Sequence, residues 1–325
     1  AAEYEAARSR AFEIIRAQPT LPRGLGSHGW HSFQTGKFWE GHFSNAGFTE
    51  GMTLFRPAPH LSYTGVTRTL KDGSRAAHGN GDHGLAIGRE TMRPIADFLD
   101  RNGRDRPFFI WYAPYLPHQP HDSPQRYFDE HRKRGAAEQR MKKNPQEFAH
   151  THESKYSPFE DGLRTPILVC WPGRTKAATH RQLVSSVDLL PTVLDAVCRP
   201  AALEGLPGRS LWPAATGLTN LEDQPVFGEI YPGDAYSLGQ PSRHIAYRWI
   251  RSGALKLIVP HAQNGNAPWG GYLAEAALFD VLADPGEKNN LVAEPGHADD
   301  VRRLRALLDA WWSPGDDPLT PDLRR

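Results

Sequence analysis

The sequence predicts an α/β fold: a mostly parallel, mixed sheet flanked by helices, then a small C-terminal antiparallel sheet with a closing helix. Three observations lead to this prediction. Helical and strand-like segments alternate from the amino terminus to about residue 200, as a mostly parallel sheet requires. Two short apolar runs next to prolines, Phe108–Pro114 and Pro166–Cys170, are typical of buried strands. Beyond residue 220, strand-like runs follow one another and a single helical segment closes the chain.

Residues 1–220 form the predicted α/β domain. Its elements are, in order, a helix over 3–17, a helical turn over 21–26, a strand over 30–34, loops over 43–84, a helix over 88–102, the strand that starts at Phe108, a polar segment over 129–153, the strand at Pro166 and a helix over 187–197. Apolar residues spaced three and four apart define the inward faces of two helices. These faces comprise Met92, Ile95, Phe98 and Leu99 in one helix and Leu189, Leu190, Val193 and Leu194 in the other.

Residues 221–325 form the predicted C-terminal antiparallel subdomain, with the boundary in the turn-rich loop before Val226. Its predicted strands cover residues 226–231, 244–250, 255–259 and 277–281, and its closing helix covers residues 297–312. Ser252 and Gly253 are typical of a tight turn between two antiparallel strands.

The composition is that of an ordinary globular protein. The 325 residues carry a net charge of +1, with 39% hydrophobic and 23% charged residues. There is no basic or acidic block of the kind that binds nucleic acid, and no apolar run long enough to cross a bilayer. We therefore expect neither a nucleic-acid partner nor a membrane span. The sequence starts at Ala1 without a methionine or a signal peptide, so we expect a removed leader or a fragment.

Two histidines stand where a ligand site is expected. His118 and His121 lie among Pro114, Pro117 and Pro120, just after the strand that starts at Phe108. Proline restricts the backbone, so this segment is stiff and extended. In an open α/β sheet, ligands bind beyond the carboxyl ends of the strands. The alternative is a proline-rich loop whose histidines are merely solvated.

Five segments, in this order, resemble motifs of the sulfatase family of the alkaline-phosphatase superfamily. They are T-G-K-F-W-E-G at 35–41, P-F-F-I-W-Y-A-P-Y-L-P-H at 107–118, S-K-Y-S-P-F-E-D-G-L-R-T-P at 154–166, V-D-L-L-P-T at 187–192 and L-F-D-V-L-A-D-P-G-E-K-N-N-L at 278–291. The resemblance covers residues 19–291 and implies a sulfatase-like sheet, incomplete in this chain. It also implies hydrolysis of a sulfuric ester on an aryl compound or a sulfated glycan.

The resemblance implies a role for three catalytic residues. Lys37 and Lys155 would be cations on the sulfate oxygens, and His118 would bind the ester oxygen or protonate the leaving group. Sulfate transfer builds negative charge on the peripheral and leaving oxygens, which fixed cations and a proton donor stabilise. The alternative at each position is a surface lysine or a solvated histidine.

Further residues are expected to contact the substrate. Trp39 stands where the family has a histidine, and His42 is the nearby candidate to replace it. The polar cluster before the helix at Gly88 resembles a similar stretch of the family, and His121 follows His118 closely. The expected substrate contacts are His42, His78, Asp82, His83 and His121.

The resemblance also implies a calcium ion held by oxygen ligands and a formylglycine nucleophile made from a C/S-x-P-S-R motif. Neither occurs at its expected place, and the polar stretch 129–153 replaces the second pair of metal ligands. We therefore assign no metal ligand and expect no formylglycine. Two clusters could replace the ligands, but short clusters of this kind are usually solvated. They are Asn80, Asp82 and His83, and His150, His152 and Glu153.

One cysteine fits the nucleophile signature in part. Cys170 is followed by Trp-Pro-Gly-Arg, which matches the motif at the cysteine, the proline and the arginine. The alternative is a buried thiol that behaves as a small hydrophobic side chain at the end of a strand.

We therefore expect a sulfatase-family protein whose partner is a small-molecule or oligosaccharide sulfate ester, with impaired or no activity as written. It would then be an incomplete gene product of an active sulfatase, a pseudoenzyme or a rebuilt site. The alternatives are a non-catalytic sulfate or sulfated-glycan binding module and a phosphoester hydrolase. A periplasmic or secreted location follows only from the family.

Overall fold

The computed structural model describes residues 10, 12–38, 41–53, 67–69, 75–77, 87–88, 91–114, 124–133, 156–197, 203–231, 240–261 and 269–314. The chain forms two compact units. The first contains Ala1–Ala149 and Leu190–Pro207, and the second contains His150–Leu189 and Gly208–Arg325. A domain boundary near residue 220 stays a prediction. Among the helices described, none has the length and apolar character that a membrane span requires.

The helices and strands are numbered in chain order. The helices are α1 (residues 12–17), α2 (Leu21–Gly26), α3 (Arg93–Asn102), α4 (Gln125–Lys133), α5 (Glu160–Leu163), α6 (Leu189–Val197), α7 (Trp212–Ala215) and α8 (Ala298–Trp311). The strands are β1 (His31–Gly36), β2 (Glu50–Gly51), β3 (Thr67–Thr69), β4 (Arg75–Ala77), β5 (Phe108–Ala113), β6 (Val226–Ile230), β7 (Tyr247–Ser252), β8 (Leu255–Pro260) and β9 (Ala277–Asp280).

The first unit is organised around a parallel sheet, which confirms the predicted α/β class. Its described strands have the order β2-β1-β5, and β1 pairs in parallel with both neighbours. Helix α3 packs on β1, where the rings of Phe33 and Phe98 stack with centroids 5.0 Å apart. Stacked aromatic pairs and buried apolar area stabilise such helix–sheet contacts.

The close approach of β1 to β5 requires a glycine at the end of β1. Gly36 has φ +72, which non-glycine residues rarely adopt. A Cβ atom at this position would lie 1.9 Å from the carbonyl oxygen of Ala113. The pairing of the two strand ends therefore depends on the absence of a side chain at Gly36.

Two predicted buried strands differ from the structure. β5 forms as predicted, but Trp111 is 45% exposed and Phe108 and Tyr112 are also exposed, because β5 is the edge strand of the described sheet. Pro166–Cys170 has no strand pairing, and Leu168 is 87% exposed. An apolar run favours an extended chain, but a strand also needs a hydrogen-bonding neighbour, which no described segment supplies here.

Several helix predictions need correction at their ends. The helix predicted from Gly88 starts at Arg93, since Pro94 suits only the first turn, and Met92 is exposed. In α6, Leu189 is exposed and the buried residues are Pro191, Thr192 and Leu194, because a 3-10 turn over Ser186–Asp188 precedes the helix. Of the polar segment 129–153, residues 129–133 belong to α4 and the rest lies outside the described residues. The predicted loops over 43–84 contain β2 and the hairpin of β3 with β4.

The second unit contains the predicted antiparallel sheet and closing helix. Its described strands have the order β6-β7-β8-β9, with antiparallel pairing throughout. Gly253, with φ +60, forms the turn between β7 and β8. β7 begins at Tyr247 rather than at His244 because a 3-10 turn over Pro241–Arg243 precedes it. Helix α8 buries Leu304 and Leu308 against one face of the sheet.

A buried arginine joins α8 to β7. Arg248 is 1% exposed, and its Nη2 lies 2.8 Å from Asp309 Oδ1 on the helix. A second guanidinium nitrogen donates to the carbonyl oxygen of Trp312. Nε donates to His261 Nε2 at 3.0 Å, so this ring nitrogen must be unprotonated. Burial, with the charges of Arg248 and Arg305, lowers the pKa of His261 from 6.5 to about 4.

We predict that Gly36→Ala destabilises the protein, because the new methyl group meets the Ala113 carbonyl and alanine disfavours a positive φ. The expected loss in the free energy of unfolding exceeds about 2 kcal/mol, measured by urea denaturation. Gly26→Ala is the control, since a Cβ there meets nothing within 4 Å and alanine suits a helix. This control should change stability by less than about 1 kcal/mol. Equal stabilities of the two variants would contradict the role of Gly36.

We predict that His261 makes folding pH-dependent between its unfolded pKa and its folded pKa of about 4. As the pH falls below 6.5, the unfolded chain binds a proton that folded His261 excludes, so this residue's contribution to stability declines. The slope approaches about 1.4 kcal/mol per pH unit. His261→Gln keeps an acceptor for Arg248 and removes the titration. The stability of the wild type relative to this variant, measured from pH 7 to pH 4, should fall. A constant difference would refute the prediction.

Candidate functional site

The structure describes two of the predicted site residues, Lys37 and His42. The others lie outside the described residues: His78, Asp82, His83, His118, His121 and Lys155. The roles of all eight stay predictions. Both described residues belong to the first unit, and their surroundings indicate what each can do.

Lys37 follows the carboxyl end of β1, at the edge of the parallel sheet. Its backbone N–H donates to the Ala113 carbonyl at 2.7 Å, and its own carbonyl accepts from the Trp111 indole at 3.3 Å. These two bonds tie the Lys37 backbone to β5, directly after the left-handed residue Gly36. The carboxyl edge of a parallel sheet is where α/β proteins bind ligands. The backbone of Lys37 is therefore fixed at this edge, and its role as an anion-binding cation stays a prediction.

His42 has a structural contact of its own. Its Nδ1 accepts from the backbone N–H of Ser44 at 3.2 Å and lies 2.7 Å from the Ser44 hydroxyl, so His42 caps the 3-10 turn Phe43–Ala46. Burial lowers the pKa of His42 below 6.5, and the charge of Arg16 acts in the same direction. The lowered pKa and the accepting Nδ1 both favour the neutral imidazole. Its replacement of the histidine expected at position 39 stays a prediction.

The described residues do not supply a calcium site. Within them, no group of three or more His, Cys, Asp or Glu side chains could hold a metal ion. The two clusters considered from the sequence, around Asp82 and around His152, lie outside the described ranges. We therefore derive no chemical step through a metal.

Cys170 is exposed, and the prediction of a buried thiol at a strand end is wrong. The residues after it form a tight turn, in which the N–H groups of Arg174 and Thr175 each donate to the Trp171 carbonyl at 2.9 Å. The Arg174 guanidinium lies over the Trp171 ring, 5.2 Å from its centroid. No strand pairs with the segment before this turn among the described residues, so nothing buries the thiol. The alternative that Cys170 is a nucleophile stays untested.

Asp188 of the V-D-L-L-P-T segment has its oxygens engaged by the backbone. Its Oδ2 accepts from the N–H of Ser185 and its Oδ1 from the N–H of Arg209, each at 2.9 Å. The first contact belongs to a capping box that starts the turn before α6. The observed role of this carboxylate is therefore to cap a helix and hold a loop.

The second unit contains a buried ion cluster, which sequence reasoning missed. The buried ion cluster consists of Glu160, Arg251, Lys256 and Glu287. Lys256 is 0% exposed, and its Nζ lies 2.8 Å from Glu287 Oε1 and 3.3 Å from Glu160 Oε1. Arg251 donates to Glu160 Oε2 at 2.6 Å. Glu287 Oε2 accepts from the backbone N–H of Glu160, so it also caps α5.

The two carboxylates of this cluster compensate the repulsion between its two cations. Arg251 and Lys256 are direct neighbours in the β7–β8 pairing, where like charges repel. Glu160 contacts both cations and offsets that repulsion. Burial raises the pKa of Glu287, while the Lys256 ammonium opposes this rise.

Two signals in the sequence could have indicated this cluster. Lys256 is the one charged residue in the apolar strand LKLIVP, and a buried lysine needs a partner. Glu160 and Glu287 are acidic residues within two of the sulfatase-like segments. Neither signal says which carboxylate meets which cation.

A family model described as "Sulfatase" matches residues 3–149, and one described as "N-sulphoglucosamine sulphohydrolase, C-terminal" matches residues 149–312. The chain is similar to an N-acetylgalactosamine-6-O-sulfatase of Bacteroides thetaiotaomicron, with 28% identity over 160 residues (48% of this chain, 29% of the relative). It is also similar to an N-acetylgalactosamine-6-sulfatase of Canis lupus familiaris, with 38% identity over 103 residues (30% of this chain, 19% of the relative).

A solved structure supports the fold. It is that of a protein in complex with its substrate, D-glucosamine-2-N,6-O-disulfate, with a TM-score of 0.56 and 15% identity, covering 91% of this chain and 82% of that chain. The matches to the two curated relatives span less than a third of the length of either. The family models cover the chain almost from end to end, and the second alone covers half of it. The chain therefore belongs to the sulfatase family.

Proposed function

We propose that the protein recognises a sulfuric ester on a sulfated glycan and that its family reaction, hydrolysis of that ester, uses Lys37, His118 and Lys155. The observation that carries this proposal is the place of Lys37. It stands at the carboxyl edge of a parallel sheet, and its backbone N–H and carbonyl are both bonded to β5. A cation on a rigid element is suited to a sulfate group, since little motion is lost when the ester binds.

The proposed chemistry divides between the three residues. Lys37 and Lys155 hold the sulfate oxygens and neutralise the charge that develops on them. In the hydrolysis, water supplies the oxygen that ends on sulfur, and the bond from sulfur to the sugar oxygen breaks. His118 gives a proton to that sugar oxygen, because an alkoxide is a poor leaving group. The sequence contains no complete C/S-x-P-S-R motif, so we propose that the 325-residue chain binds the ester with little or no turnover.

The names of the relatives support a proposal for the substrate class. Both curated relatives described above are named for removing a 6-sulfate from N-acetylgalactosamine. We therefore propose a 6-O-sulfated amino sugar within a glycan as the ligand. The discriminating group is the sulfate itself, because it carries the negative charge that Lys37 and Lys155 are proposed to bind.

We predict saturable binding of N-acetylgalactosamine-6-sulfate, measured by isothermal titration calorimetry on the full chain, and none of unsulfated N-acetylgalactosamine. Lys37→Ala and Lys155→Ala should each weaken binding by about 10-fold or more, because each removes a charge-assisted hydrogen bond. Lys133→Ala is the matched control, since Lys133 is exposed on α4 and pairs only weakly with Glu130 at 2.8 Å. It should leave the affinity unchanged.

A measurement of turnover distinguishes a chain that hydrolyses the sulfate ester from one that only binds it. Hydrolysis of 4-nitrophenyl sulfate is followed with added calcium, in the wild type and in Lys37→Ala and His118→Ala. Turnover that both substitutions abolish would refute the expectation of an inactive chain and support the hydrolase. Binding without turnover supports a sulfated-glycan binding role. Equal binding of the sulfated and unsulfated sugars would refute both.

A further inference from the structure

We propose that the buried ion cluster positions the segment that carries Lys155, so that Lys256 and Glu287 are positioning residues for sulfate binding. This inference rests on the proposed function, which makes Lys155 a sulfate-binding cation. Neither Lys256 nor Glu287 is proposed to touch the ester. They act through the backbone of the segment from Tyr156 to Glu160.

The backbone beside Lys155 is held in a strained conformation. Tyr156, the next residue, has φ +72, and Glu287 of the cluster has φ +49. Among the described residues, these two are the non-glycine residues with a positive φ. Such conformations persist only where the surrounding structure enforces them, and they concentrate at functional sites. The two strained residues lie in the two segments that the cluster joins.

The residues between Tyr156 and the cluster are fixed by packing. Ser157 is fully buried, and Phe159 packs in the core beside Tyr272 and Phe279, each at a ring-centroid distance of 6.1 Å. The chain therefore has two anchors directly after the strained residue, an aromatic side chain and then the cluster. Tyr156 itself is 46% exposed. The described part of the segment therefore leaves the packed core at Tyr156.

The cluster supplies the second anchor through one backbone contact. The N–H of Glu160 donates to Glu287 Oε2, and the Glu160 side chain binds both Arg251 and Lys256. In a buried site these interactions are strong and depend closely on geometry. Loss of the Lys256 charge leaves two carboxylates close together, with Arg251 on one of them only. Their repulsion pushes the Glu160 backbone away from Glu287 and releases the segment.

The first test is a double-mutant cycle on binding of N-acetylgalactosamine-6-sulfate by the full chain. We expect Lys256→Met to weaken binding by about 10-fold, as Lys155→Ala does. The double variant should bind no more than about threefold more weakly than Lys155→Ala alone, since Lys256 acts through Lys155. Lys288→Met, the same change at an exposed neighbour of Glu287, is the control and should bind as the wild type. Additive losses would overturn the positioning role.

The second test is amide hydrogen exchange, which does not depend on the ligand. We expect the amides of residues 156–160 to exchange at least about 10-fold faster in Lys256→Met, with no change in Lys288→Met. Unchanged exchange in Lys256→Met would overturn the inference. If the wild type binds no sulfated sugar, the proposed function fails, and hydrogen exchange alone decides whether the cluster holds the segment.

A second variant covers the case in which Lys256→Met does not fold. Lys256→Met combined with Glu287→Met removes both charges of the pair and the acceptor of the Glu160 N–H, and leaves Glu160 with Arg251. This double variant avoids an unpaired buried carboxylate, and it loses the charged link between β8 and the Glu160 backbone. The same loss of binding and the same faster exchange are expected from it, and their absence would count against the inference.

Discussion

The parallel register of β1 on β5 determines where the first unit presents its candidate cation. The two strands stay paired from His31 opposite Phe108 to Gly36 opposite Ala113, and the backbone hydrogen bond of Lys37 continues that pairing by one residue. Only a glycine allows the two chains to approach so closely at this point. The main chain of Lys37 is therefore a product of sheet geometry, and its side chain extends from a base that does not depend on a loop.

The second unit has buried charged groups on both faces of its small antiparallel sheet. On the face that α8 covers, Arg248 joins β7 to the helix through Asp309 and holds His261 in its neutral form. On the opposite face, Lys256 joins β8 to the start of α5 through Glu160 and to the loop after β9 through Glu287. Each buried cation has hydrogen-bonding partners, as buried charges require. The sheet thus serves as a frame that connects distant parts of the chain.

Much of this fold could be predicted from local sequence patterns. The strands at His31 and Phe108, the four strands of the second unit and the helix that ends at Trp311 all follow from apolar spacing and from turn residues. Pro166–Cys170 could not be assigned in this way, because the apolar run does not reveal whether a neighbouring strand is available. The place of Lys37 at a sheet edge was predictable from its motif. The partners of Lys256 were not, because they depend on contacts between segments far apart in the sequence.

Burial of Lys256 between two carboxylates also restricts how this part of the sequence can change in evolution. A single substitution that leaves one charge buried and unpaired costs about 3–5 kcal/mol, which is a large part of the stability of a typical domain. A joint replacement by apolar side chains of similar volume can be nearly neutral. Positions 160, 256 and 287 should therefore vary together or not at all among relatives that share this unit. A homologue with an apolar residue at the position of Lys256 is expected to lack the acidic residue at the position of Glu287.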